Sequence, residues 1–354
     1  MRWSRWLTAV LMLACMTVHA TSVSESSAPV YKKKYAMGTV FEILAYGSSP
    51  EHASTVIERA FREILRLDEV MSNYKPDSDL GRLNRSTHFQ AQTVPPDLYR
   101  VIDESLKYSR LSNGKFDITV GPLVDFWKAV MRGERQPALA QERKLQRCVG
   151  YKNIVLFPPD RVEFRSACLQ IDLGAIGKGY AVDRAVEVLR SNGISRALIN
   201  AGGSTIYGMG SPPKGAAWTV RLRDPSAQIN PEVKLHGNSV STSEQSSLSL
   251  LENKPAGHIV DPARGTPVRT SFTVSVVAKT ATASDALSTT LLLMGADKGR
   301  ELIKGLAGTS AIWISPKGVI MTSFNGPRIL FGSDLAQGGS QTAVHPKKST
   351  ALLH

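Results

Sequence analysis

Three glycines within six residues, in Asp172-Leu-Gly-Ala-Ile-Gly-Lys178-Gly-Tyr180, constrain this chain more than any other stretch. That density is unfavourable in the interior of a strand or helix. The segment therefore reads as a connection, and Ala181, Val182, Ala185, Val186 and Leu189 place an amphipathic helix directly after it. A glycine-rich entry to a helix exposes backbone N–H groups that can face an anion, and Lys178 adds a mobile positive charge. The spacing matches neither the Rossmann G-x-G-x-x-G nor a Walker A loop. It fits a purely structural turn as well as an anion cradle.

Around this turn, helix and strand signals alternate irregularly. Val56, Ile57, Ala60, Phe61, Ile64 and Leu65 predict a helix over 51–70; Leu98, Val101, Ile102 and Leu106 predict a second, ended by Asn113-Gly114. Residues 131–147 read as a surface helix and loop. Strands are expected at 35–46, at 153–157 and 161–164 about Pro158-Pro159-Asp160, and at 197–200, 217–223, 233–236, 272–278, 309–314 and 318–323. A last helix is expected at 282–295. Without strict βαβ order this is an α+β or mixed α/β fold. No linker interrupts residues 31–333, so any subdomains pack intimately.

Arg2 and Arg5 followed by an apolar run from Leu7 to Val18 predict a signal peptide over 1–20, cut after Ala20. A rival reading takes Leu13-Ala14-Cys15 as a lipoprotein box with Cys15 lipidated. Residues 21–34 then read as a polar linker, 35–333 as the folded domain and 334–354 as a disordered tail. The location expected is periplasmic, with peripheral or lipid-anchored membrane association as an accessory. The whole chain carries 43 Lys and Arg against 30 Asp and Glu, a formal +13; removing two arginines leaves +13 − 2 = +11. The excess belongs to the folded part and suits an anionic partner. The basic residues are not clustered with aromatics, which argues against a nucleic-acid module. At 42% hydrophobic and 21% charged the chain is neither a polytopic membrane protein nor largely disordered. Cys148 and Cys168 suit either a disulfide or two separate buried thiols, and two cysteines without clustered histidines make no zinc site.

Three further groups could carry chemistry. Asn200-Ala-Gly-Gly203 is a tight turn or a close backbone approach to a ligand. Asp285 and Thr289, four apart on one helix face, are hard oxygen ligands suited to Mg²⁺; as alternatives they are helix caps. His258, before Asp261-Pro262, is a candidate general base or a turn histidine held by Asp261. No G-x-S-x-G elbow supports Ser-His-Asp chemistry.

Taken in order, these segments resemble the ApbE family of FAD:protein FMN transferases. The resemblance spans about residues 35–325. It rests on Met37-Gly-Thr39, on Met71-Ser-Asn-Tyr74 with Ser78-Asp-Leu80 and Arg82-Leu-Asn84, and on Phe116-Asp-Ile-Thr-Val-Gly-Pro-Leu123. It continues through Asp172–Tyr180 with Asp183, Asn200–Gly203, His258-Ile-Val-Asp-Pro262 and Ser284-Asp-Ala-Leu-Ser-Thr289. The resemblance implies two intimately packed subdomains with FAD in the cleft between them. It also implies Mg²⁺-dependent transfer of FMN to a Thr or Ser hydroxyl of an exported or membrane flavoprotein subunit of respiratory or electron-transport complexes, with release of AMP. By position, Met37, Tyr74, Lys115, Phe116, Asp117, Asp172, Lys178 and Ile259 would line the FAD site. Asp285, Thr289 and the Ala175 carbonyl would hold the metal, and His258 would act as base. The same residues would suit an Mg²⁺-dependent FAD pyrophosphatase or a non-catalytic FAD-binding protein. Four positions depart from the family pattern: Ser288 where some members carry Asp, Ser204 where Asp is common, Glu244 where Gly is frequent, and Gly177 where Ala is usual. The first leaves the metal site with less negative charge.

Overall fold

The computed structural model describes residues 28–86, 88–245 and 257–331. The leader over 1–20, Cys15 and the tail from 334 lie outside these residues. Strands β1 (Val30–Ala36) and β2 (Thr39–Tyr46) pair in register from Val30↔Ala45 to Ala36↔Thr39. Their turn sets Met37 and Gly38 at φ 50° and 75°, the left-handed pair that two-residue hairpin loops require. The expectation of a linker up to 34 and one strand from 35 is thus corrected to a hairpin starting at Val30. The lysine run disguised its first strand. Lys32 and Lys34 share the face that meets Glu58, and Tyr31, Lys33 and Tyr35 are exposed on the other.

Helix α1 (Pro50–Met71) opens with the Ser49 hydroxyl accepting from the His52 N–H at 3.1 Å and buries the apolar stripe read from the sequence. Next come α2 (Asp79–Arg85), β3 (Gln92–Thr93), α3 (Pro96–Leu111), α4 (Gly121–Met131) and α5 (Leu139–Gln146), which buries nothing. Asn113 and Gly114, both at positive φ, end the α3 region as expected. β4 (Ile154–Phe157) and β5 (Arg161–Phe164) form the expected hairpin, with β3 added beside β5. Cys148 and Cys168 are joined in a disulfide, Cα to Cα 5.2 Å, which settles the alternative left open by the sequence.

Helix α6 (Gly177–Ser191) leads to β6 (Arg196–Ala201), β7 (Thr205–Met209), β8 (Trp218–Arg221), β9 (Glu232–Leu235) and β10 (Asn238–Glu244). After the two-residue strands β11 (Val260–Asp261) and β12 (Thr266–Pro267) come β13 (Thr273–Ala278), α7 (Ala281–Met294), α8 (Ala296–Lys304), β14 (Thr309–Ile314), β15 (Ile320–Asn325) and β16 (Ile329–Leu330). One antiparallel eight-stranded sheet, in the order β1-β2-β6-β7-β10-β13-β14-β15, organises the molecule. Strand alternation gives it two apolar faces. Phe41, Ile43, Ala197 and Ile199 pack under α1 and α6, while Val274, Val276, Ala311 and Trp313 pack under α7 and α8. On the opposite face Val240, Val277, Ile312 and Ile314 meet Trp218, Val220, Val233 and Leu235 of the small β16-β9-β8 sheet. The result is a mixed α/β fold of helices, a large sheet and a small sheet in layers.

Candidate active site

Packing of α6 on α7 creates the best-defined corner of the site. A Cβ on Gly179 would stand 2.3 Å from the Ala281 carbonyl oxygen and 2.8 Å from the Asp285 Cβ. Only glycine permits that approach. Its N–H, in the first turn of α6, donates to Asp285 Oδ2 at 2.9 Å, so the carboxylate lies at the positive end of the α6 dipole. Asp183, one turn further along α6, accepts from the N–H groups of Ala281 and Thr282 at 2.8 Å each and from the Thr282 hydroxyl at 2.5 Å. The Thr280 hydroxyl accepts from the Ala283 N–H. Capping of α7 is therefore the work of Thr280 and Asp183, and Asp285 is left to face the cleft.

The other side of α7 meets β10 through hydroxyls. Ser239, Ser241 and Ser243 share one strand face; Ser241 and Ser239 contact Ser284 at 2.7 and 3.0 Å, and Ser243 contacts Ser288 at 2.7 Å and Thr289 at 3.0 Å. Ser288 also donates to the Asp285 carbonyl at 2.9 Å. Ser239, Ser241, Ser284 and Ser288 are buried yet satisfied, and Ser243 and Thr289 are half-buried. Thr289, held through Ser243, and Asp285 both line the cleft. Asp285, Thr289 and Ala175, all lining the cleft, offer a carboxylate, a hydroxyl and a backbone carbonyl, an all-oxygen donor set. It fits a hard divalent cation that completes its shell with substrate oxygens and water. The described residues contain no cluster of three His, Cys, Asp or Glu side chains able to hold a metal by themselves.

The cleft measures about 820 Å³, within the range of ligand sites, and opens between this corner and a second wall. That wall starts at Asp172. Its N–H donates to the Ile118 carbonyl at 2.7 Å, and its Oδ1 accepts from the Gly174 N–H at 2.7 Å to close the glycine turn. Lys178 Nζ bonds the Gly174 carbonyl at 3.2 Å. Phe116 is buried edge-on to Tyr108. Asp117 reaches the cleft, but both its oxygens are engaged locally: Oδ1 by the Thr119 N–H and hydroxyl, Oδ2 by the Tyr151 N–H. Burial pushes its carboxyl up despite these bonds. Asp117 is thus a scaffold for the wall.

Two turns form the rim near Met37. Gly202 lies so close to Thr39 that a Cβ would overlap its hydroxyl, and Asn200 Oδ1 accepts from the Gly203 N–H at 2.8 Å. The turn is tight, and both glycines line the cleft. Opposite them, Gln245 pins Ile259 by bonds to its carbonyl and N–H. His258 is exposed to the cleft. Partial loss of hydration, together with the charges of Lys128 and Lys178, holds its imidazole below the ordinary value, with Asp172 opposing. Asp261 does not hold it, because Lys115 takes that carboxylate at 2.9 and 3.1 Å.

Of the residues singled out from the sequence, Met37, Tyr74, Phe116, Asp117, Asp172, Ala175, Lys178, His258, Ile259, Asp285 and Thr289 all meet at this cleft. Lys115 is the correction. It precedes the wall residue Phe116, but its ammonium is spent on Asp261 and it does not line the cavity. Sequence reasoning missed Lys128 and Arg223, which pairs at 2.6 Å on the rim with the Glu244 noted above. Each reads as an ordinary surface residue along the chain.

A family model described as the ApbE family matches residues 37–313. The FAD:protein FMN transferase of Salmonella typhimurium is 28% identical to this chain over 313 residues, covering 84% of this chain and 88% of that protein. The protein of that name from Haemophilus influenzae is 28% identical over 280 residues, with 75% and 81% covered. The solved structure of the ApbE protein from Thermotoga maritima superposes with a TM-score of 0.74 at 25% identity, covering 84% of this chain and 97% of that one. The flavin transferase ApbE from Vibrio cholerae matches in fold at a TM-score of 0.74 and 23% identity, covering 86% and 97%. The match runs through both walls of the cleft, from the Met37 turn past Asp285 and Thr289, and the chain belongs to the ApbE family.

Proposed function

We propose that the chain is an FAD:protein FMN transferase. It moves FMN from FAD to a Thr or Ser hydroxyl of an exported or membrane flavoprotein subunit and releases AMP. The observation that carries this reading is the Asp285 carboxylate, anchored on Gly179, facing a dinucleotide-sized cleft that Thr289 also lines. Asp285, Thr289 and the Ala175 carbonyl would hold Mg²⁺, which when bound neutralises pyrophosphate charge. The acceptor oxygen bonds to the FMN phosphorus. The bond from that phosphorus to the bridging oxygen breaks, and AMP leaves with that oxygen. His258, kept neutral, takes the hydroxyl proton. Lys178 and the start of α6 add positive potential beside the phosphates. Tyr74 offers a ring surface to the dinucleotide, and the buried Phe116 belongs to the wall of the cleft. The sequence of residues 1–20, read as a signal peptide, and the basic balance of the chain support work outside the cytoplasm on a membrane-associated acceptor.

Incubation of the protein with FAD, Mg²⁺ and a flavoprotein subunit bearing an exposed acceptor Thr tests the reading. Covalent flavin on that Thr, with one AMP per flavin attached, is expected. AMP released at the same rate without acceptor, and no labelling, would identify a pyrophosphatase instead. FAD bound and left intact would leave a binding protein.

A further inference from the structure

Lys128 stands on the face of α4 that turns into the cleft. Its side chain is only 22% exposed. An ammonium so far withdrawn from water needs partners, and it has two from different parts of the chain. Nζ lies 3.0 Å from the Tyr74 hydroxyl oxygen and 3.8 Å from Asp172 Oδ2. Burial alone would push this ammonium down; Asp172 and the Tyr74 hydroxyl outweigh it, so the group stays charged.

Tyr74 needs such a partner. Its backbone is fixed, because the Ser72 hydroxyl accepts from the N–H groups of Tyr74 and Lys75, and Ser78 ties the same loop to α2. The residue, by contrast, is 74% exposed, and its ring has no place in the core. An aromatic side chain on a rim is free to turn unless its polar tip is held. The Asp172 carboxylate meanwhile divides its oxygens: Oδ1 shapes the glycine turn, and Oδ2 faces Lys128.

We infer that Lys128 is a positioning residue. It locks the Tyr74 ring to the Asp172 turn, so that the surface for a ligand ring and the cradle for its phosphates are set at a fixed distance before binding. The inference rests on the reading of the cleft as an FAD site. Preorganisation of this kind lowers the cost of ordering on binding, so it acts on affinity and hardly on chemistry.

The test is FAD affinity by flavin fluorescence, together with kcat and KM for FAD, in wild type, Lys128→Met, Lys128→Arg, Tyr74→Phe and the Lys128→Met, Tyr74→Phe pair. Lys128→Met should weaken FAD binding about tenfold while kcat at saturating FAD falls less than about threefold. Lys128→Arg should recover much of the affinity. In the Tyr74→Phe background Lys128→Met should cost clearly less, because the hydroxyl it holds is already gone. Should Lys128→Met fail to fold, Lys128→Gln takes its place. Unchanged affinity in the Lys128 variant, or the same loss with and without the Tyr74 hydroxyl, overturns the inference while wild type binds FAD. A wild-type protein that binds no FAD overturns the functional reading and the inference together.

Discussion

The two walls of the cleft are held by different forces. On the α6–α7 side, Gly179, Asp183 and Asp285 lock two helices by close backbone approach and buried hydrogen bonds, and the serines of β10 seal α7 from behind. On the other side, the glycine turn at Asp172, the segment around Asp117 and helix α4 are tied by the Cys148–Cys168 disulfide, local carboxylate bonds and Lys128. The first wall has almost no freedom, which suits a group that must meet pyrophosphate oxygens in a set geometry. The second carries rings and cations at a partly exposed rim. There Lys128 holds the Tyr74 ring against the Asp172 turn, and the exposed side of the rim is open to an incoming protein loop.

The sharpest break of the first wall is Asp285→Asn. The amide oxygen can still accept from the Gly179 N–H, so stability should change by no more than about 1 kcal/mol. Flavin transfer should nevertheless fall about 10²- to 10³-fold, because the charge that organises the phosphates is lost. Turnover and thermal unfolding measured side by side separate the two effects. The second wall is next. Reducing the Cys148–Cys168 bridge, or replacing both residues by serine, opens a loop of 20 residues and should cost about 3 kcal/mol. Denaturant melts with and without reductant measure it. Asp285-dependent chemistry should persist in whatever fraction remains folded.

Gly179→Ala should destabilise by about 1–3 kcal/mol through overlap with the Ala281 carbonyl, and it should also reduce transfer, because the two helices must part. A folded, fully active Gly179→Ala protein would show that the seam is looser than drawn. The smallest effect concerns pH. His258 has a lowered pKa, so its neutral form persists below the ordinary imidazole value of about 6.5. Transfer should stay level through neutral pH and fall as acid protonates the ring. Lys178→Met removes one repelling charge and should move that acid limb toward higher pH, as a pH profile of kcat/KM would record.

Much of this architecture is written in periodic apolar residues. α1, α3, α6 and α7 and the strands β13 and β14 stand where hydrophobic spacing puts them. The misses have physical causes. β10 reads as a polar Ser/Thr stretch, and only the facing serines of α7 reveal that its hydroxyls are buried. β1 is masked by three lysines, and its turn at Met37-Gly38 lacks the usual Asn-Gly signal. The cleft residues were legible as motifs, but their division of labour was not. Asp117 holds a loop, Lys115 holds Asp261, and Asp285 faces the cavity because other residues cap its helix. Lys128 carries no motif at all. A lone lysine in a helix gains its meaning only when Tyr74 and Asp172 arrive from elsewhere in the chain.

One measurement bears most directly on the central claim. Wild-type and Asp285→Asn proteins are incubated with FAD, Mg²⁺ and acceptor, and AMP release is followed alongside mass spectrometry of the acceptor. The account predicts one FMN ester on the acceptor per AMP released by wild type, and neither product above background for Asp285→Asn. Equal labelling by the two proteins would contradict the role of the α6–α7 wall. AMP release with an unmodified acceptor would contradict transfer itself.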